Sequence, residues 1–432
     1  MKRKIQEGSF IYFFTKFFVD LSLKTAYRKY QVEGRENIPT DGSVIWASNH
    51  TNALMDPLVL LAATDRQKVF MARADIFKNK TAAKWLKFLK IMPIYRIRDG
   101  FDAVKRNTES IAQATDILLD GVPLVIYPEA THRPKHSLLK LSKGIFHITF
   151  SVCENSSDDK PVYIQPIGIE YGDYFRFRST VLVRFGEPVN VSAFVKEHAS
   201  ESVPVQMVEL KNMLTDRLAG LIAYIPDDEF YDATWEYAKL KADNPEYYSR
   251  SDAGLKGLMR LQDADKRAIA EIQDMRENDP DSASELLRKV EELRLWRIQN
   301  GISVHSIARG VSIPAVLGKF LLAIAGLPYY AFCAIAGSII WVPTLFILRG
   351  IKDDAFYNTA RFGVRFAMSV IACILWAVLY FCLMPWQFAL AAFLLSLPST
   401  RYLYDYGTFF RRMASDFRWL LRRRKAPDHS FL

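Results

Sequence analysis

Between residues 43 and 186, short apolar runs alternate with amphipathic ones. "SVIWAS" (43–48), "KVFMARA" (68–74), "IMPIYRI" (91–97), "PLVIYP" (123–128), "VYIQPIGIEY" (162–171) and "TVLVRFG" (180–186) are rich in β-branched or aromatic residues and are bounded by turn residues. Between them, "TAAKWLKFLK" (81–90) and "FDAVKRNTESIAQATDILLDG" (101–121) repeat their apolar positions at helical spacing. This alternation predicts an α/β fold, a largely parallel central sheet flanked by helices. In such sheets the functional residues belong on loops at the strand ends.

The pattern changes at both ends of the chain. From Ile313 to Leu348 the only charge is Lys319, and from Phe366 to Thr400 there is none. A spanning helix needs about 20 apolar residues, so both stretches are expected to be α-helical membrane segments. Each is also too long for one upright span, since about 35 residues at 1.5 Å rise exceed 50 Å against a hydrocarbon core of about 30 Å. Prolines interrupt both, in "GLPYY" (326–330) and "MPWQ" (384–387), which predicts helical hairpins turning near Pro328 and Pro385. At the other end, "SFIYFFTKFFVDLSLKTAY" is broken by Lys16 and Asp20 and reads as an amphipathic helix lying in a bilayer interface. Residues 226–305 are charged, helical in pattern and broken at "NDPD" (278–281), as expected of an inserted helical pair. The organisation predicted is an interfacial helix (1–30), an α/β domain (31–225), the charged helical insertion (226–305), membrane segments (306–400) and a basic tail (401–432).

Charge sharpens this picture. Of a net +10, residues 1–30 and residues 401–432 contribute +5 each, and the remainder is neutral. Without a basic stripe or a nucleic-acid motif in the middle, the basic ends point to an anionic membrane and away from nucleic acid. The basic loop from Arg349 to Arg365 and "RRRK" (422–425) predict a cytoplasmic face for loop, tail and α/β domain. Cys153, Cys333, Cys373 and Cys382 show no paired spacing, so neither a disulfide framework nor a zinc site is expected.

Three strand ends carry candidate chemistry. "SNHTNALMDP" (48–57) places His50 and Asp56 between two apolar runs. Taken singly, these are a lone histidine and an Asp-Pro helix start. On one regular helix a six-residue step turns about 120°, so the two side chains meet only if the strand exits into an irregular loop. "MPIYRIRDG" brings Arg96 and Arg98 to a second strand end, and "YPEATHRPKHSLLKLSKG" crowds Glu129, Thr131, His132 and Arg133 after a third. His132 and His136 lack the cysteine or carboxylate company of a metal site, so no metal is expected.

"NHTNALMDP", "MPIYR", "YPEATHR" with "SKG", and "IQPIGIEY", in this order and at these separations, resemble the four motif blocks of the glycerolipid acyltransferases. The resemblance covers residues 30–225 and is nearest the branch of glycerol-3-phosphate and dihydroxyacetone-phosphate acyltransferases. Two features depart from the usual pattern. Five residues, not four, separate His50 from Asp56, and Ala130 stands where a glycine is usual, with the arginine one place later. The resemblance implies His50 as general base and Asp56 as its orienting partner, acting on an alcohol that is a poor nucleophile until its proton is taken. Arg96, Glu129, Thr131, Arg133 and Lys143 would then hold a phosphate-bearing glycerol acceptor, and Pro166 would shape the acyl-donor side. The donor implied is the thioester of acyl-CoA or acyl carrier protein, a co-substrate rather than a cofactor. Glycerol 3-phosphate is the acceptor the branch implies. The alternatives are a lysophosphatidate or other lysophospholipid acyltransferase, an inactive membrane scaffold, and a thioester hydrolase.

Overall fold

The computed structural model describes residues 4–95, 101–157 and 159–432. The chain forms two compact units. One comprises the residues up to Tyr174 with Thr180–Ile222, the other Phe175–Ser179 with Ala223–Leu432.

The first unit runs α1 (Phe10–Ala26), β1 (Lys29–Glu33), β2 (Ser43–Ser48), α2 (Met55–Ala63), β3 (Val69–Arg73), α3 (Lys80–Phe88), β4 (Ile91–Ile94) and α4 (Phe101–Leu119). It continues with β5 (Leu124–Ile126), α5 (Gly144–Asn155), β6 (Val162–Tyr171), β7 (Thr180–Phe185), β8 (Val189–Asn190), α6 (Val191–Glu197) and α7 (Val203–Leu221). Among the described residues the strands form one eight-stranded sheet in the order β1-β7-β6-β2-β5-β3-β4, with β8 beside β6. β6 is antiparallel to β7 and β8, and the other pairings are parallel. The six strands expected from the alternation are all present.

Every residue of β2 and β5 is buried. Central strands covered by helices on both faces show unbroken apolar runs rather than alternation. Ile45, Ala47, Leu124 and Ile126 share a core with Ile145 and Phe146 of α5 and with Leu210, Leu214 and Leu218 of α7. The four-residue spacing of these leucines puts them on one helix face. The end of α7 comes so close to β6 that a Cβ at Gly168 would lie 2.6 Å from Leu221 Cβ, which only glycine allows. Register fixes what this packing positions. Ile45 pairs with Leu124 of β5, and Ser48 pairs with Ile167 of β6, in parallel. The carboxyl ends of these neighbouring strands therefore lie at one sheet edge, and the loops leaving them converge.

The second unit contains α8 (Tyr231–Asp243), α9 (Pro245–Ser249), α10 (Leu258–Asn278), α11 (Pro280–Gln299), α12 (Val304–Ala308), α13 (Ile313–Ala336), α14 (Ser338–Arg349), α15 (Tyr357–Leu383), α16 (Trp386–Ser396) and α17 (Ser399–Arg422). The break at "NDPD" is a helix start, where Asp279 accepts from Ser282 N and Pro280 opens α11. α10 and α11 are more than a solvated pair. Ile269 and Ile272 of α10 and Leu287 and Val290 of α11 share a core with Tyr237 and Ala238 of α8. Residues 401–432, whose charge suggested a tail, are largely helix α17, whose Tyr406 hydroxyl donates to Ala323 O of α13 at 2.6 Å. Most of its charge marks the outward side of this helix, with Asp416 buried on the inner side.

The first apolar stretch also departs from expectation. α13 stays helical through Pro328, and the chain breaks at Gly337 instead. A proline at 328 removes the donor to Ile324 O, and the Tyr406 and Tyr402 hydroxyls donate to Ala323 O and Gly326 O on either side of it. The second stretch breaks at Pro385 as expected. Ile313–Ala336 and Asp354–Leu383 are long and apolar enough to cross a membrane, and each is followed by a short apolar helix. Lys319, the lone charge of the first stretch, meets Asp416 of α17 at 2.5 Å.

Candidate active site

β2 delivers Asn49 and His50 to the converging edge. The Asn49 side chain bonds the Ile169 backbone twice, accepting from its N at 2.7 Å and donating to its O at 2.9 Å, which pins the strand exit against β6. The loop that follows takes Ala53 to φ 38°. α2 starts two residues earlier than an Asp-Pro start predicts, with Leu54 as its N-cap and Asp56 as its second residue. Asp56 is fully buried and collects four donors. Oδ2 accepts from His50 Nδ1 at 2.7 Å, Thr51 N at 2.7 Å and Asn52 N at 2.8 Å, and Oδ1 accepts from the Tyr171 hydroxyl at 2.7 Å. These donors match the acceptor capacity of a carboxylate. With Nδ1 committed to Asp56, Nε2 is the His50 nitrogen left for an incoming proton, on a side chain 17% exposed.

The loop after β5 builds the other wall. The buried Glu129 carboxylate accepts from His50 N and from Leu139 N, both at 2.8 Å, while Arg133 N donates to His50 O at 3.1 Å. The base is thus held by its own backbone on both sides. Tyr127 stacks on the His50 ring at 4.4 Å and 25°, and His132 meets it edge-on at 5.6 Å. Burial raises the Glu129 carboxyl above its ordinary range, against the opposing pull of the Leu139 and His50 amides. Burial, reinforced by the Asp56 charge, pushes the Tyr171 and Tyr127 phenols well above theirs, so Tyr171 keeps the proton it donates to Asp56.

Of the candidates read from sequence, His50, Asp56, Glu129 and Arg133 are brought together through these bonds. Thr131 is exposed on the same loop, beside Ala130, which takes φ 59°. Lys143 is exposed at the N-cap of α5, and its neighbour Ser142 donates to Pro128 O at 2.8 Å. The Arg133 guanidinium donates to Ser137 Oγ at 2.7 Å. Pro166 is buried within β6, paired with Ala47. Arg96 lies outside the described residues. Sequence reasoning missed Asn49, Tyr127 and Tyr171 as site residues. Each sits within a quoted motif or strand, but only the folded structure shows that Tyr127 stacks on His50, that Tyr171 bonds Asp56 and that Asn49 ties the strand exit to Ile169.

The model of the family described as Acyltransferase matches residues 29–170, a span that contains His50, Asp56 and Glu129. Residues 29–170 belong to the acyltransferase family. This acyltransferase domain carries the glycerolipid-acyltransferase blocks that the sequence resemblance rested on, and its mostly parallel sheet flanked by helices is the fold expected. Among solved structures, the chain is similar to the 1-acyl-sn-glycerophosphate (LPA) acyltransferase PlsC from Thermotoga maritima. The identity is 21%, over 47% of this chain and 78% of that one, with a TM-score of 0.33. No curated protein matches the chain.

Proposed function

We propose that the protein is a membrane-bound O-acyltransferase that moves a fatty acyl group from acyl-CoA or acyl carrier protein to glycerol 3-phosphate, for phospholipid synthesis. The observation that carries this reading is the 2.7 Å bond between His50 Nδ1 and the buried Asp56. A histidine so held takes the acceptor hydroxyl's proton at Nε2 as the oxygen attacks the thioester carbonyl. Asp56 stabilises the imidazolium that forms, and the proton passes to the departing thiolate as the carbonyl reforms. A thioester is reactive enough that the mechanism asks for neither a metal nor an enzyme nucleophile. Glu129 acts as a clamp on the backbone of the base. Thr131, Arg133, Lys143 and Arg96 are assigned to the acceptor phosphate, which arginine forks suit by geometry.

Membrane attachment is supported by α1 as well as by α13 and α15. α1 turns its aromatic side outward, Phe10 being 85% and Phe17 62% exposed, while Lys16 is buried and paired with Asp20. A helix that buries its ion pair and exposes its phenylalanines suits an interface with lipid. The catalytic domain, the loop after α14 and the C-terminal end are assigned to the cytoplasmic side, where both substrates occur.

The test is the purified full-length protein in detergent with palmitoyl-CoA or palmitoyl-acyl carrier protein, offered glycerol 3-phosphate and 1-acylglycerol 3-phosphate side by side. Acylation of glycerol 3-phosphate is expected. Acylation of 1-acylglycerol 3-phosphate alone moves the assignment to a lysophosphatidate acyltransferase. Release of free fatty acid without an acylated product makes the protein a hydrolase, and an unconsumed thioester makes it a scaffold.

A further inference from the structure

The second unit contains a cavity of about 330 Å³, walled by α13, α14, α15 and α17 and by Phe177. Its volume falls in the range of small-molecule sites, about 300–1,000 Å³. Its chemistry is divided. Arg361 and Arg365, one turn apart near the start of α15, and Arg411 of α17 line it together, and no carboxylate is among the described lining residues. Asp405, the nearby acid on α17, is already held by both nitrogens of the Arg178 fork, at 3.1 and 2.7 Å. Arg401 adds to the positive field at Arg365. The remaining wall is aromatic and aliphatic, with Tyr330, Trp341 and Leu403.

Position explains this division. α13 and α15 are long and apolar enough to span a bilayer, and Arg361 and Arg365 occupy the first turns of α15, the end nearest a headgroup layer. Gly407, inside α17, opens the space further, since a Cβ there would meet no heavy atom within 4 Å. Glycine inside a helix is unfavourable compared with alanine, so this opening is kept against local propensity.

We propose that this cavity binds an anionic glycerophospholipid. Its phosphate sits among Arg361, Arg365 and Arg411, and an acyl chain lies along Trp341 and Leu403. Three arginines lining one cavity, with no carboxylate among its described lining residues, favour a negative headgroup, and the apolar walls inside a membrane-type helix cluster select a lipid over a free phosphate. The proposal holds whichever acceptor the active site uses.

The test uses the delipidated full-length protein in detergent and phospholipids brominated on one acyl chain, which quench tryptophan on contact. Brominated phosphatidate is expected to quench the Trp341 emission saturably, the Trp341 part being defined by the difference from Trp341→Phe. Phosphatidylcholine with the same chains quenches it much less. Gly407→Leu, which fills the cavity while favouring the helix, is expected to abolish the quenching and leave thermal unfolding intact. Arg411→Gln, at an exposed position, is expected to weaken binding about tenfold. Equal quenching by both lipids, unchanged quenching in Gly407→Leu, or full displacement of phosphatidate by glycerol 3-phosphate would each overturn the proposal. Acyl transfer, measured separately, reports on the proposed reaction and not on this site.

Discussion

At the scale of single residues, the site rests on four donors converging on Asp56 and two backbone bonds holding His50. His50→Ala is expected to reduce transfer by about 10²- to 10⁴-fold, the range for loss of a positioned general base. Asp56→Asn should fall nearly as far, because a neutral amide cannot stabilise the imidazolium that forms on His50 as the buried carboxylate does. Both follow from turnover with a thiol-release assay, and near wild-type rates for His50→Ala would remove the mechanism. Ala130 gives a prediction of opposite sign. It sits at φ 59°, where a Cβ is strained by about 1–2 kcal/mol, whereas glycine adds about 0.4–1 kcal/mol of unfolded-state freedom. Ala130→Gly is therefore expected to stabilise the protein by about 0.5–1 kcal/mol. Chemical unfolding in detergent measures it, and a loss of stability would mean that the loop is not strained there.

At the scale of elements, the buried Lys68 closes a helix end and the partly exposed Lys319 joins a helix pair. The ammonium of Lys68 donates to Leu60, Leu61 and Thr64 carbonyls at 3.3, 3.2 and 3.1 Å, capping the C-terminal turn of α2, and lies 5.1 Å from the Trp46 ring centre. Burial pushes this group down to about 7 from 10.5. Below about pH 7 folded and unfolded chains both carry the proton, and the buried charge is at its most unfavourable. Between that pH and the unfolded value the unfolded chain holds more protons, so stability rises with pH. The melting temperature should climb from about pH 6.5 to about pH 9 in the wild type, and Lys68→Met should lack that climb. Lys319 and Asp416 join α13 to α17, with Ser306 also donating to Asp416 at 2.6 Å. Breaking a fully buried pair costs about 3–5 kcal/mol, and since Lys319 keeps 36% exposure, Asp416→Ala should cost about 1–3 kcal/mol. Lys319→Met with Asp416→Asn should recover most of that loss in thermal unfolding, whereas additive losses would show that the pair does not couple.

At the scale of the whole molecule, the outward aromatic side of α1 predicts a dependence on the donor's chain. In proteoliposomes, replacing Phe10, Phe14 and Phe17 with Ser should raise the KM for palmitoyl-CoA severalfold and spare a short-chain acyl-CoA. Equal effects on both donors would disconnect α1 from lipid access. How much of this was legible beforehand depended on distance along the chain. His50 and Asp56 could be read because six residues separate them and the strand–loop–helix pattern around them is local. Tyr171 could not, since its bond to Asp56 spans 115 positions and depends on β6 lying beside β2. Pro328 misled for a related reason, since the tyrosines bonded to neighbouring carbonyls of α13 come from α17, more than 70 residues on. From the sequence Glu129 reads as a residue that holds the acceptor, and its clamp on the His50 and Leu139 amides is not legible there, because backbone partners leave no mark in a sequence. The parallel pairing of β2 with β5 and β6 has one more consequence. All the chemistry leaves the sheet at its carboxyl edge, so the turns entering β5 and β6, near Gly121 and Lys160, are uncoupled from it. Those turns are where the acyltransferase domain can accept added sequence, a tag or a whole guest domain while its reaction stays intact.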